Sequence, residues 1–253
     1  MPRMKRVTVS GAVLEQEIFN VAPNTKNLRG AAPKPAAERT EQEKAEYNRK
    51  QSLKRCIRTI NATFEPFGSK AFYTTHTFDD AHLPKDYSGV RRVRDNYIKR
   101  LQYEFPDAVI VAFMGRGRRT KRFHLHCIIA GVDEKTIREK WKHGKVMRIE
   151  PLREHNYYNG IDHGRDYTAL ATYLHGHWKE EQGKGKRWRQ TKNVKQAERK
   201  RPTLPKRRYS LDKPPITPKG YMLVEKRESN HYLGGYLCFK YVKIPPPDEK
   251  RQC

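Results

Sequence analysis

The stretch that decides the fold is RFHLHCIIA, residues 122–130. Its apolar and β-branched residues predict a β-strand. Successive strand residues point to opposite faces of a sheet, so His124 and His126 share one face and the apolar residues between them line the other. Two imidazoles on a rigid strand form half of a metal site. Two exposed histidines on a half-buried strand are the other interpretation of this pattern.

The segments around this strand predict an α+β fold. A strand followed by a helix, a strand pair, a helix, a strand and a helix is typical of a central antiparallel sheet with flanking helices, which we expect on one side of it. Asp133 is placed to cap one of the helices. The predicted strands are 71–78, 108–114, 122–130 and 146–150, and the predicted helices are 36–62, 90–105, 132–141 and 166–181.

Composition divides the chain into three ranges. Residues 1–66 are predicted to form an N-terminal arm, weakly ordered over 1–35, and a charged helix. Residues 67–182 hold the predicted core. Residues 183–253 form a basic C-terminal extension, rich in Lys, Arg and Pro, which ends in a small β-hairpin formed by 220–228 and 232–244.

The net charge indicates a polyanionic partner. The 253 residues carry a formal charge of +26 at pH 7, which favours nucleic acid over an ordinary small-molecule substrate. No apolar run reaches 18 residues and no signal peptide is visible, so we expect no membrane association and a cytoplasmic location. The four cysteines are scattered, which favours reduced thiols over a disulfide framework.

A second candidate group of residues lies in DYTALATYLHGHW, residues 166–178. At helical spacing Tyr173 and His177 lie one turn apart on the same face. A metal held by histidines polarises a phosphodiester, and a nearby phenolate can attack its phosphorus and form a covalent phosphotyrosine. A core aromatic residue on an amphipathic helix is the alternative for Tyr173.

These motifs resemble those of the HUH endonuclease superfamily. FYTTHTF at 72–78 is similar to its first motif, FHLHCII at 123–129 to its metal motif, and the segment 166–178 to its tyrosine motif. Within the superfamily the chain looks most like the phage- and plasmid-type replication initiators of bacteria. The resemblance covers residues 68–181, fewer than half of the chain.

The resemblance implies a fold, a reaction and partners. The fold is an RRM-like sandwich with the histidines on a middle strand and the tyrosine helix across it. The reaction is sequence-specific nicking of single-stranded or hairpin origin DNA, with a 5′-phosphotyrosine link and a free 3′-OH, followed by strand transfer. This reaction starts rolling-circle replication in a bacterial host cell. No GxxxxGK[ST] motif is present, so a host helicase and the host replication machinery are the expected protein partners.

The chain departs from the family pattern, which leaves site assignments open. The strand before the histidines carries no acidic third ligand, and Gly176 stands where many initiators have a lysine. His177 is the preferred third metal ligand, with His76 and His175 as rivals. Tyr167 is the alternative nucleophile, because some family members use two tyrosines.

Two basic segments are candidate DNA contacts. The turn before the histidine strand has five basic residues that can hold phosphates, unless it is an ordinary solvated turn. The segment 184–206 suits an arm that follows a DNA backbone, with a tryptophan that stacks on bases, or a disordered tail. The candidate residues are Arg116, Arg118, Arg119, Lys121 and Arg122 in the turn and Lys186, Arg187 and Trp188 in the arm.

Two further functions and several metals remain open. A relaxase or a single-strand transposase would use the same chemistry. A non-enzymatic basic nucleic-acid-binding protein would bind without cleavage and tolerate Tyr173→Phe. Mg²⁺ or Mn²⁺ is the expected cofactor because each leaves open positions for phosphate and water, and a three-histidine shell also suits Zn²⁺.

Overall fold

The structure is a computed structural model that describes residues 3–21, 40–117, 119–177, 188–231 and 234–247. The chain forms two compact units. Unit 1 comprises Met1–Lys54, His155–Asp166 and Gln196–Cys253, and unit 2 comprises Arg55–Glu154 and Tyr167–Lys195. This grouping differs from the three ranges drawn from composition, because segments far apart in the chain pair in one sheet.

Unit 2 contains a five-stranded antiparallel sheet, and the strand that carries the two histidines is the central strand of this sheet. Its strands are β3 (Ala71–Thr77), β4 (Val109–Arg116), β5 (Phe123–Ala130), β6 (Val146–Pro151) and β9 (Trp188–Gln190). They lie in the order β6-β3-β5-β4-β9. The helices are α1 (Glu41–Phe64, which begins in unit 1), α2 (Tyr87–Glu104), α3 (Glu134–Lys140) and α4 (Thr168–Gly176).

The predicted alternation of β5 is confirmed. Cys127, buried on the face opposite the two histidines, belongs to an apolar cluster formed with α2 and α3. Ile128, on the histidine face, belongs to a second cluster, formed with α1 and α4. Helices therefore cover both faces of the sheet, and the expectation of helices on one side was wrong. Both faces of β4 are apolar, and apart from the two histidines so are both faces of β5, which is the pattern of strands buried on both sides.

Local sequence explains where two of the helices begin. Asp133 accepts a hydrogen bond from the Thr136 N–H at 2.9 Å, so the predicted cap of α3 is confirmed. Asp86 caps α2 in the same way, through the Gly89 N–H at 2.8 Å. The tyrosine helix α4 is shorter than predicted, since it begins at Thr168 and ends at Gly176. Residues 178–181, which the prediction included, lie outside the described residues.

Unit 1 contains a second five-stranded antiparallel sheet. Its strands are β1 (Arg3–Ser10), β2 (Val13–Asn20), β10 (Glu198–Arg199), β11 (Tyr221–His231) and β12 (Gly234–Lys243), in the order β10-β1-β2-β12-β11. Two short strands, β7 (Tyr157–Tyr158) and β8 (Ile161–Asp162), form a separate hairpin. The predicted C-terminal hairpin is confirmed, but it is part of a larger sheet.

The prediction of a weakly ordered N-terminal arm was wrong for residues 3–20, and residues 22–35 of that arm lie outside the described residues. Residues 3–20 form the hairpin β1–β2, and β2 pairs with β12 along six residues from Leu237↔Ile18 to Val242↔Val13. Gly11 has φ 59° and turns the chain between the two strands, a conformation that glycine adopts without steric cost. The partner of β2 lies more than 200 residues away in the chain, so the short sequence of β2 does not by itself reveal the pairing that stabilises it as a strand.

One face of the unit 1 sheet is apolar and the other is polar yet buried. Leu14, Ile18 and Phe239 belong to the apolar cluster. On the other face Glu17 is buried, accepts a hydrogen bond from the Tyr236 hydroxyl at 2.6 Å, and pairs with the Lys54 ammonium. A buried carboxylate is tolerable only with such partners, because desolvation of an unpaired charge costs several kcal/mol.

Within the described ranges, no helix combines the length and the apolar composition needed to cross a membrane.

Candidate metal centre

Three histidines of unit 2 form one cluster. His124 and His126 lie on β5, and His177 is the C-cap of α4. Their candidate ligand atoms all lie within 4.8 Å of one another, so the cluster could hold a metal ion. The imidazole centroids of His126 and His177 are 4.5 Å apart, and those of His124 and His126 are 4.7 Å apart.

Neighbours on β3 orient the imidazole of His126. Its Nδ1 lies 2.9 Å from the Tyr73 hydroxyl and 3.1 Å from the Thr75 hydroxyl. Its Nε2 is buried and has no hydrogen-bond partner among the described residues. A metal-bound histidine commonly donates its other N–H to an oxygen, which fixes the tautomer and the ring orientation. The two hydroxyls can accept that proton at Nδ1 and leave Nε2 for a metal.

A glycine makes room for the second imidazole. Gly115 on β4 pairs directly with His124. A Cβ on Gly115 would lie 2.2 Å from Nε2 of His124 and within 2.8 Å of two ring carbons. The imidazole of His124 therefore occupies the volume that any other side chain at position 115 would fill. The buried Nε2 of His126 and this cradle both fit a metal held by the three histidines.

Burial keeps the strand histidines neutral. Burial, and to a lesser degree the neighbouring His124 and His177, lower the pKa of His126 to about 2. Burial also lowers the pKa of His124. Removal from water disfavours the charged imidazolium, and so do other cationic groups close by. Since only the neutral imidazole binds a metal, the fold holds these side chains in the ligand form.

Tyr173 lies beside the cluster and is open to solvent. Its side chain is 55% exposed, although it stands on a helix that buries Ala171 and Leu174. Its ring centroid is 4.6 Å from that of His177 and 6.1 Å from that of His126. The interpretation of Tyr173 as a core aromatic residue does not agree with this exposure.

Two residues near Tyr173 were missed in the sequence. Arg148 on β6 stands over the ring of Tyr73, with its Cζ 5.6 Å from the centroid. The pKa of Arg148 is raised, first by its hydrogen bond to Glu150 and also by the phenols of Tyr73 and Tyr173. Burial, and to a lesser degree Tyr173, raise the pKa of Tyr73, so this phenol stays protonated. Arg148 is thus a cation close to Tyr173, at a site where no sequence motif predicted one.

Sheet register explains how these groups meet. Thr75 pairs with His126 on one side and with Arg148 on the other. Residues paired across neighbouring strands point to the same face. Across β6, β3 and β5, the guanidinium of Arg148, the hydroxyl of Thr75 and the imidazole of His126 therefore lie side by side on one face of the sheet.

The rival ligands do not join the cluster. His76 is fully buried on the opposite face of the sheet, where its ring contacts Tyr97 and Trp141, and its Nε2 lies 2.8 Å from the Thr74 hydroxyl. His175 is buried on α4 and is not one of the three clustered histidines. The fold separates His76 from His126 because β3 neighbours β5 with Thr75, not His76, opposite His126.

The alternative nucleophile is buried. Tyr167 is 2% exposed and belongs to the apolar cluster between the sheet, α1 and α4. It precedes α4 as the N-cap residue, and its backbone N–H donates to the Asn61 side chain at 2.8 Å. A phosphodiester cannot reach this phenol without unfolding the cluster.

The basic turn between β4 and β5 has two fixed arginines. Arg122 pairs with Asp80 at 2.5 Å and donates to the Phe78 carbonyl at 2.9 Å. The Arg116 Nε donates to the Lys121 carbonyl at 2.9 Å, which closes the turn. Arg119 and Lys121 are exposed. Arg118 lies outside the described residues.

The arm proposed for base stacking is only partly described. Trp188 is 9% exposed, and its ring stacks on Phe113 with a centroid distance of 6.2 Å. The prediction that Trp188 stacks on bases was wrong, because the buried ring is part of the sheet's core. Lys186 and Arg187 lie outside the described residues.

Comparisons of this chain with protein-family models, with curated proteins and with solved structures found no match. The resemblance to the HUH endonucleases therefore rests on the three sequence motifs.

Proposed function

We propose that this protein nicks single-stranded DNA through a covalent phosphotyrosine formed by Tyr173. The observation that carries the proposal is that the exposed Tyr173 ring lies 4.6 Å, centroid to centroid, from the ring of His177, which belongs to the three-histidine cluster. The cluster is the candidate metal site, and the charge of +26 suits a DNA substrate. As the family resemblance implies, the reaction would start rolling-circle replication of a phage or plasmid.

The chemistry is an exchange of one phosphate ester for another. The Tyr173 oxygen gives up its phenolic proton and attacks the phosphorus in line, the bond from phosphorus to the 3′ oxygen breaks, and the 3′ oxygen takes up a proton, so that no proton is gained or lost overall. The 5′ end stays on Tyr173, and a later attack by a 3′-OH reverses the exchange. A divalent metal held by His124, His126 and His177 would supply Lewis-acid polarisation of the phosphate. Mn²⁺ fits imidazole donors better than Mg²⁺, which is bound almost entirely by oxygen.

The neighbouring side chains have separate roles in this proposal. Arg148 stabilises the negative charge of the attacking phenolate, in place of the lysine that many initiators carry at the position of Gly176. Tyr73 accepts the Nδ1 proton of His126 and directs its own O–H toward Tyr173. Arg119 and Lys121 hold phosphates at the exposed turn.

A covalent-adduct assay tests the proposal. The protein is incubated with labelled single-stranded oligonucleotides, including origin-derived pools, and Mn²⁺, and is then run on a denaturing gel. We expect a shifted, protease-sensitive band that is lost in Tyr173→Phe and in His124→Ala/His126→Ala. Tyr167→Phe is the matched control, and it should retain the band. Salt-sensitive binding without any adduct would refute the nuclease and leave the non-enzymatic DNA-binding protein. A relaxase or transposase would give the same adduct with a different DNA sequence.

A further inference from the structure

Residues 196–219 of unit 1 form an extended segment, here called the strap. It begins at β10, beside β1, and continues along β1 through reciprocal backbone hydrogen bonds between Thr203 and Lys5, 2.7 and 2.8 Å long. Tyr209 then packs against the apolar cluster of the unit 1 sheet. Further on, the Pro215 carbonyl accepts a hydrogen bond from the Tyr241 hydroxyl at 3.2 Å. The strap is thus fixed to its own sheet at several points.

The strap presents a dense row of cations. Its sequence holds eight basic and two acidic residues, and all eight basic residues are exposed. Five prolines keep the strap out of helical conformations. The exposed basic residues are Arg199, Lys200, Arg201, Lys206, Arg207, Arg208, Lys213 and Lys219.

Two cations lie over one aromatic ring, and a third acts on one of them. Lys5 Nζ lies 5.7 Å and Arg207 Cζ 5.5 Å from the centroid of Tyr209. The pKa of Lys5 is lowered, first by burial and then by the charges of Arg207 and Lys206. No ion pair joins any of the three to a carboxylate within the described ranges. Arg207 also donates to the Pro214 carbonyl at 3.0 Å, which holds its guanidinium in place.

Uncompensated like charges repel each other, and an anion placed among them removes that repulsion. We propose that Lys5, Lys206 and Arg207 bind the phosphodiester backbone of a nucleic acid. Cations spread along the whole strap match a linear polyanion better than a single small ion, since DNA carries a charge about every 1.7 Å of duplex. This surface uses no residue of the histidine cluster, so it goes beyond the proposed nicking site and does not depend on it.

The test measures how DNA binding depends on salt. A Lys5→Gln/Lys206→Gln/Arg207→Gln variant is compared with the chain that lacks these three changes by fluorescence anisotropy, on labelled duplex and single-stranded DNA of one sequence. Both proteins carry Tyr173→Phe, so no substrate is consumed. Each lost phosphate contact lowers the slope of log K against log [salt] by about 0.9 for duplex and about 0.7 for single strands. We expect a fall of two to three in the slope, and an affinity about 100-fold weaker near physiological salt.

The controls separate this surface from overall charge and from folding. A Lys50→Gln/Lys99→Gln/Lys135→Gln variant removes the same charge from exposed positions outside the strap and should lower the slope much less. A Lys206→Arg/Arg207→Lys variant keeps the charges and should bind nearly as well as the unchanged chain. Circular dichroism melting curves must match among the variants.

Two outcomes would overturn the proposal. One is an equal loss of affinity in the strap variant and in the charge-matched control. The other is strap-dependent binding to phosphatidylserine vesicles with DNA binding unaffected, which would make the surface a membrane contact. The strap proposal and the nicking proposal fail separately, since a chain without nicking activity can still show the strap effect and a nicking chain can lack it.

Discussion

Replacement of Gly115 by alanine should expel the imidazole of His124 from the candidate metal centre. The added Cβ would lie 2.2 Å from Nε2 of His124, whereas ordinary van der Waals contact begins at about 3.4 Å. The ring must therefore retreat by about 1.2 Å or turn away. The clash is with a ring held on a central strand, so a small flexible adjustment cannot relieve it.

That displacement is large compared with what a metal site tolerates. Metal–ligand distances hold to within about 0.2 Å, so a shift of about 1 Å removes one of three ligands. Loss of a residue that merely orients a ligand already costs about 10–100-fold in metal affinity. We expect Gly115→Ala to weaken Mn²⁺ binding by at least that factor, which is about 1.4–2.7 kcal/mol.

Isothermal titration calorimetry with Mn²⁺, repeated with Co²⁺, measures the effect. Gly176→Ala is the matched control, because a Cβ there meets nothing within 4 Å although the residue adjoins His177. It should bind the metal as the unchanged chain does. A Gly115→Ala/His124→Ala double variant should bind no more weakly than His124→Ala alone, because both changes remove the same ligand. The reasoning is refuted if Gly115→Ala binds metal normally, or if its effect adds to that of His124→Ala.

Three further predictions concern neighbouring groups. Arg148→Gln should slow adduct formation about 10–100-fold in a single-turnover assay with DNA binding retained, and an unchanged rate would remove Arg148 from the mechanism. Tyr73→Phe should weaken Mn²⁺ binding by about tenfold in calorimetry, since Thr75 remains as a second partner of His126 Nδ1; no change would mean that Tyr73 does not orient the ring. Burial lowers the pKa of His76 to about 3, so below about pH 6.5 the unfolded chain binds a proton that the folded chain does not. Urea unfolding should therefore show that the free energy of unfolding decreases as the pH is lowered from about 6.5 to 3, by at most about 1.4 kcal/mol per pH unit from this group. His76→Gln should flatten that dependence. If stability depends on pH as steeply in His76→Gln as in the unchanged chain, His76 is not the source of that dependence.

The central part of unit 2 could be predicted from the sequence because its signals are local. The run around Ile110 and the alternating histidine strand each fix a strand by their own composition, and Asp133 marks a helix start. The spacing of Tyr173 and His177 likewise predicted that they share one side of a helix, and their rings are 4.6 Å apart.

Features that depend on distant pairing could not be predicted in this way. Arg148 reaches the vicinity of Tyr173 only through the register of β6 on β3, which no local pattern specifies. The role of Gly115 depends on which residue of β5 lies opposite, since one step of register would place Leu125 there instead. Trp188 looked like an exposed aromatic residue in a basic arm, but it begins an edge strand and lies on Phe113.

The pairing of β2 with β12 has a consequence for how the chain is made. Ile18 and Leu237 are register partners on adjacent strands of the sheet but about 220 residues apart in the chain. A ribosome adding about 5–20 residues per second therefore releases the first hairpin about 11 to 44 seconds before its partner strand exists. Unit 2 lies wholly between these two points, so its segments are complete while the hairpin still has an open edge. During synthesis that unpaired edge is open to pairing with a second nascent copy of the chain.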